Sequence, residues 1–219
     1  MDRPTIISGF VRLLAPSHCP GCDLPLRPTE LYFCNACKPL IEETHKSFRP
    51  PAPTAAAFLY GGPLAEAIRR LKYEGRSDYA PALGELLSDA ALPFAGLVDL
   101  VIPMALHPKR LRIRGFNQAL LLAKPVARTL GVKLDVRTLE RVRDTPEQAG
   151  LSRSDRILNV KGAFRVGTGS RPGRVLLIDD VRTTGATLAS AAETLLEAGF
   201  NRVYTLALAY AGPLLVEAR

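Results

Sequence analysis

Residues 175–188 read VLLIDDVRTTGATL. Two adjacent carboxylates, Asp179 and Asp180, close an apolar run, and a Thr/Gly loop follows and opens onto a helical pattern. Ionised carboxylates are costly to bury and neighbouring ones repel, so such a pair at the end of a buried strand calls for partners. In an open α/β sheet, ligands sit beyond the carboxyl ends of the strands. The loop Thr183, Thr184, Gly185, Ala186, Thr187 runs into a helix N-terminus, where free N–H groups and the helix dipole favour an anion. Its threonines add hydroxyl donors, and Gly185 lets a ligand approach the backbone. A phosphate cradle therefore follows directly on two acceptor-only groups. A phosphorylated sugar satisfies both, with its phosphate on the loop and its ribose hydroxyls on the aspartates. The competing reading is an ordinary strand–turn–helix with an incidental Asp pair; order, apolar lead-in and loop chemistry all speak against it.

A second constellation lies near the N-terminus. CPGC (Cys19, Cys22) and CNAC (Cys34, Cys37) are separated by eleven residues, and these are all the cysteines of the chain. Two CxxC knuckles joined by a short loop give four thiolates that can converge tetrahedrally on one Zn²⁺. Two disulfides are the alternative, disfavoured in a chain read as cytoplasmic; a redox CxxC needs no second copy. His18, beside Cys19, is a spare donor that a Cys₄ set does not need. Closed coordination makes the site structural. The segment is poor in apolar residues, so metal binding and folding should be coupled.

The elements that must position these groups follow from pattern. The 219 residues suffice for one good-sized core and a small appendage. KSFRPPAP (46–53) cannot continue a helix, which places a boundary near Pro50: residues 1–50 form an N-terminal helix with the Cys₄ zinc ribbon, and residues 51–219 form the main domain. Beyond it strands alternate with helices. Strands are read over 55–60, 98–106, 132–139, 162–166, 174–179 and 201–209. Helices are read over 62–75, 79–91, 115–131 with Pro125 as a flaw, and 187–199. This alternation predicts an α/β domain with a largely parallel sheet. Ile6, Phe10, Leu13 and Leu14 fit one face of a short docking helix better than a secretory signal, and no apolar run approaches a membrane span. The protein is read as cytoplasmic, without membrane insertion. The net charge of +8 suits either nucleic acid or a small polyphosphate. The absence of Trp leaves little sign of a stacking surface for single strands. No GxxxxGK[ST] occurs, which excludes an ATP-driven motor of that type.

Residues 175–187 closely resemble the phosphoribosyl-pyrophosphate (PRPP) signature of the type I phosphoribosyltransferases. Three further stretches narrow the family: HPKRLRIRGFNQA (107–119), TPEQAGL (145–151) and RILNVKGAF (156–164). With these, the chain resembles the ComF family over essentially its whole length, cysteine knuckles included. ComF proteins are small bacterial phosphoribosyltransferase-like proteins, often with an N-terminal zinc ribbon, linked to DNA uptake in competent cells. The resemblance implies a type I phosphoribosyltransferase fold, with helices flanking the sheet and a hood, beside a small zinc ribbon. It implies that Asp179 and Asp180 are the catalytic pair, binding the ribose 2′- and 3′-hydroxyls directly or through Mg²⁺ and water. Val181 and the Thr183–Thr187 loop would bind the rest of the PRPP sugar phosphate. One departure is visible: members commonly show Pro-Val-Pro where this chain has IPMA (102–105), the pyrophosphate loop by analogy.

Within that resemblance, Lys109 and Arg110 are the candidates for pyrophosphate contact, ahead of Arg112 and Arg114. The polar stretch 140–162 corresponds to the hood, with Gln148, Arg153, Arg156 and Asn159 as residues to test. Purine-salvage enzymes of this fold often carry an acidic general base just beyond the acidic pair. The corresponding loop position here is Thr183, which cannot deprotonate a purine nitrogen at neutral pH. His45 falls in the linker and His107 near the site, neither an evident replacement. The expectation is Mg²⁺-assisted phosphoribosyl transfer to an unidentified nitrogen acceptor in DNA uptake. The alternative is a non-catalytic protein that keeps a PRPP pocket while binding single-stranded DNA or docking a competence helicase.

Overall fold

The computed structural model describes residues 17–144, 160, 162–168 and 172–212. The expected N-terminal docking helix falls outside them, as do Gln148, Arg153, Arg156 and Asn159.

Helix α1 (Gly62–Tyr73) starts with Pro63 in its first turn, where a missing N–H costs nothing. It buries Leu64, Ala67, Ile68 and Leu71, the stripe expected of an amphipathic helix. Helix α2 (Ala80–Ala91) buries Leu83, Gly84 and Leu87 in the same way. Strands β1 (Thr54–Leu59), β2 (Leu100–Pro103), β3 (Lys133–Leu134), β6 (Arg174–Arg182) and β7 (Arg202–Tyr210) form one sheet in the order β1-β7-β6-β2-β3, every pair parallel. The expected parallel α/β architecture is borne out. Side chains alternate across the sheet. Leu176 and Ile178 pack with α1, α2 and α4 (Gln118–Leu130), whereas Val175 and Leu177 pack with Leu188, Ala191 and Leu195 of α5 (Ala186–Glu197). A parallel sheet covered on both faces explains why RVLLID is an unbroken apolar run.

Four readings change. The basic segment is itself a short helix, α3 (Pro108–Arg114), ended by Gly115 in the left-handed region (φ 81°). The helix read from Gly115 begins at Gln118, where Asn117 accepts the N–H groups of Ala119 and Leu120. The strand read over 132–139 splits, because Asp135 accepts the N–H groups of Arg137 and Thr138 and turns the chain. Its first part is β3. Beyond the turn, β4 (Leu139–Arg141) pairs antiparallel with β5 (Phe164–Val166) as a separate ribbon. Pro125 is no flaw either. It sits inside a continuous α4 against α2, where a Cβ on Gly84 would lie 2.5 Å from the Pro125 Cγ.

From β6 the chain runs through α5 on one face to β7; from β2 it runs through α4 on the opposite face to β3. The crevice between β6 and β2 is thus the topological switch point where α/β folds place ligands. Residues 17–44 lean on α1 and β1. Cys19, Phe33 and Cys37 join the same buried cluster as Leu64, and Thr44 donates its hydroxyl to the Ala56 carbonyl.

Candidate functional site

Asp179 and Asp180 are both buried at the carboxyl end of β6, at the switch point. Although neighbouring strand residues point to opposite faces, both carboxylates line one cleft at the strand end and interact directly. Each also accepts the next backbone N–H: Asp180 N–H to Asp179 Oδ1 at 2.9 Å, Val181 N–H to Asp180 Oδ1 at 2.8 Å. On the α1 face, Lys72 Nζ lies 2.7 Å from Asp180 Oδ2. Burial first, and then the Asp180 charge, push the Asp179 carboxyl up to about 8. Lys72 has its ammonium held charged, since Asp180 and Asp179 outweigh the burial that opposes it.

These groups line a cleft of about 160 Å³ with Arg110, Arg114, Arg141, Gln118, Val181 and Thr187. Arg114 donates to Gln118 Oε1 at 2.6 Å and lies 5.8 Å from the centre of the Tyr73 ring. Arg141 reaches in from β4, its basicity lowered by burial and by Arg110. The cleft therefore gathers cations around two carboxylates, an arrangement suited to a polyanion carrying hydroxyls or a divalent cation.

The loop expected to hold phosphate stands beside this cleft. Gly185 adopts φ +82° directly before α5, and a Cβ there would lie 3.0 Å from Arg182 Nε, so this position demands glycine. Ala186 N–H donates to Thr184 Oγ1 at 3.4 Å. Thr187 faces the acidic cleft, whereas Thr184, Gly185 and Ala186 line a neighbouring hollow of about 690 Å³ that also borders α5 and β5; Thr183 is half-buried. Of the basic segment, Arg110 lines the cleft, whereas the Lys109 side chain is 65% exposed and Arg112 is exposed outside it. Asp144 sits among three of these groups: Lys109 Nζ at 3.5 Å, Arg110 Nε at 3.6 Å and His107 Nδ1 at 3.8 Å.

Lys72, Gln118 and Arg141 are site residues that sequence reasoning passed over. For Lys72 a signal existed: it continues the buried stripe of Leu64 and Ile68 at four-residue spacing, a lysine in an apolar column. Arg141 carried none, because its approach depends on the antiparallel β4–β5 ribbon.

The four cysteines converge as expected. Their Sγ atoms all lie within 4.8 Å of one another, with Cys22 and Cys34 at 3.7 Å. Sulfurs about 2.3 Å from a tetrahedral zinc would stand about 3.8 Å apart, so the donor set fits that ion. Burial and the neighbouring thiols push the Cys37 thiol up. Cys34, against its own burial, is held down to about 7 by the Cys37 N–H and thiol. His18 instead pairs its backbone with Pro25. Glu30 locks the second knuckle by accepting the N–H groups of Arg27 and Asn35, each at 2.8 Å.

The phosphoribosyl transferase domain family matches residues 117–215. DNA utilization protein YhgH of Salmonella typhimurium is 36% identical over 191 residues, covering 84% of this chain and 79% of that protein. Competence protein F of Haemophilus influenzae is 33% identical over 160 residues, covering 69% and 70%. Among solved structures, orotate phosphoribosyltransferase from Aeropyrum pernix is similar at 24% identity and a TM-score of 0.41, covering 65% of this chain and 64% of that one.

Proposed function

The chain belongs to the ComF family of phosphoribosyltransferase-like proteins, and from that premise we propose that its acidic strand end binds PRPP for phosphoribosyl transfer to a nitrogen acceptor. The observation that carries the reading is the burial of Asp179 and Asp180 at the switch point, between a cation-lined cleft and the N-terminus of α5. Asp179 and Asp180 would take the ribose hydroxyls, and the loop from Val181 to Thr187 the 5′-phosphate. Arg110, with Lys109 at its edge, would take the pyrophosphate.

Burial and the Asp180 charge raise the Asp179 carboxyl, and a divalent cation on the hard oxygens of the pair would take the place of that proton. Mg²⁺ held by Asp179 and Asp180 would supply charge neutralisation for a leaving pyrophosphate. The protein's own part is to orient the sugar and stabilise charge, with Arg110, Arg114 and Arg141 placed to stabilise anionic oxygens at low reorganisation cost. Zn²⁺ on Cys19, Cys22, Cys34 and Cys37 is structural in this reading.

The relatives' names, DNA utilization protein and competence protein, support a role in handling DNA during uptake. A second reading, a single-stranded DNA or helicase-docking protein retaining the PRPP pocket, draws on α3, which exposes Lys109, Arg112 and Ile113 together. Among the described residues no helix is long and apolar enough to cross a membrane.

Calorimetry with PRPP and Mg²⁺ tests the first reading. Wild type should bind, and Asp179→Asn and Asp180→Asn should each weaken binding at least about tenfold. A wild type that binds no PRPP overturns it. Binding without pyrophosphate release across a panel of bases and amines moves the balance to the second reading.

A further inference from the structure

The Lys72–Asp180 contact points to how the free site is kept charge-balanced. Asp180 is 3% exposed and Asp179 9%, and two buried carboxylates one residue apart require a cation. Among the described residues, Lys72 supplies the ion pair to this acidic strand end, at 2.7 Å. It arrives from a different element, in the last turn of α1. The backbone there is pinned on both sides: Arg70 Nη1 donates to the Pro20 carbonyl at 3.1 Å, and Arg76 Nη1 reaches Asp23 at 2.9 Å. The side chain itself retains 19% exposure and lines the cleft. A lysine is a compact charge on a flexible four-carbon stem. Fixed at its base, it can swing at its tip.

We propose that Lys72 is a stand-in cation: in the free protein its ammonium holds the place on Asp180 that a divalent cation and ribose hydroxyls take when PRPP binds, after which it turns to the ligand's diphosphate. The proposal rests on the PRPP reading above. Without the stand-in, Asp180 would be buried with no ion-pair partner among the described residues. With it, the incoming metal exchanges for an ammonium that the arriving diphosphate can accept, so no charge is stranded at either stage. The site is thereby biased against the bare metal ion and towards the metal–PRPP complex, because only the complex brings an anion for Lys72.

The test measures Mn²⁺ binding without PRPP, by electron paramagnetic resonance at pH 8.5, on wild type, Lys72→Met, Lys72→Arg and Lys72→Met/Asp180→Asn. Melting curves accompany each variant. Lys72→Met should bind free Mn²⁺ about tenfold more tightly than wild type, within the usual range of coupling between sites. Lys72→Arg, which keeps a competing charge and guards against a folding artefact, should not. The double variant should lose the gain. In calorimetry, Lys72→Met should bind Mg²⁺–PRPP more weakly than wild type, the opposite sign to its free-metal effect. Mn²⁺ affinity unchanged in a folded Lys72→Met overturns the stand-in, even where wild type binds PRPP. A Mn²⁺ gain in a protein that never binds PRPP overturns the sugar reading and leaves the competition between lysine and metal in place.

Discussion

Arg76 holds both carboxylate oxygens of Asp23 through one nitrogen, Nη1, at 2.9 and 3.0 Å. Asp23 belongs to the turn of the first cysteine knuckle, while Arg76 follows α1, whose last turn carries Lys72. Tyr79 donates its hydroxyl to the same carboxylate, and Arg76 lies 4.1 Å from the centre of the Tyr79 ring. The cysteine module therefore braces the helix end from which the acidic site draws its lysine. Cys34→Ser should reduce bound zinc below one ion per chain, lower the thermal midpoint and weaken PRPP binding together. Asp23→Ala should retain zinc and cost about 1 kcal/mol or less, since the pair is partly exposed, yet still weaken PRPP binding several-fold. Metal analysis, thermal melts and calorimetry on the two variants separate these effects.

A close approach between α2 and α4 gives a sharper stability prediction. A Cβ on Gly84 would lie 2.5 Å from the ring of Pro125, two rigid groups with no flexible chain end to yield. Gly84→Ala gains about 1 kcal/mol of helix propensity in isolation, but overpacking of this kind costs about 1–3 kcal/mol. The net change in urea unfolding should be destabilising. Pro125→Ala made in the Gly84→Ala background should recover part of the loss, a coupling absent between distant sites.

The same pair shows what a sequence withholds. Pro125 reads as a helix defect because local propensity knows nothing of the neighbour whose missing side chain admits the ring. The strands were legible where one element decides its own pattern: the apolar run of β6 and the alternation with helices specify a parallel sheet before any contact is known. Asp179, Asp180, the Thr/Gly loop and the cysteine knuckles lie in contiguous stretches, so their chemistry could be read directly. Arg141 and Gln118 reach the cleft through long-range pairing and helix packing, which no local pattern encodes. Lys72 stands between these cases, visible as an anomaly in an apolar column but without an evident partner.

Stability and binding should part at Asp179. Its carboxyl titrates near 8 in the folded chain against about 3.9 unfolded. Between those values the folded state binds a proton that the unfolded state has released, so stability falls as pH rises through this window and levels off above it. Asp179→Asn removes the dependence. Urea midpoints from pH 5 to 8.5 should show the variant increasingly more stable than wild type, by at least about 1 kcal/mol at pH 8. PRPP affinity should move the other way.

The basic segment should split into one residue that matters to the cleft and one that does little. Arg110 lines the cleft and keeps only 26% of its side chain exposed, whereas Lys109 is 65% exposed and outside the lining. If the pyrophosphate binds there, Arg110→Met should weaken PRPP at least about tenfold, and Lys109→Met less than about threefold at physiological salt, where an exposed charge is screened. Asp144 supplies the control. It is the carboxylate on which Lys109, Arg110 and His107 converge at 3.5–3.8 Å, and an incoming pyrophosphate must compete with it for the same cations. Asp144→Asn should therefore tighten inorganic pyrophosphate binding several-fold and steepen its salt dependence, since more of the cationic charge then falls to the ligand. In the Arg110→Met background the same substitution should gain little, and a calorimetric cycle over these four proteins measures that coupling directly.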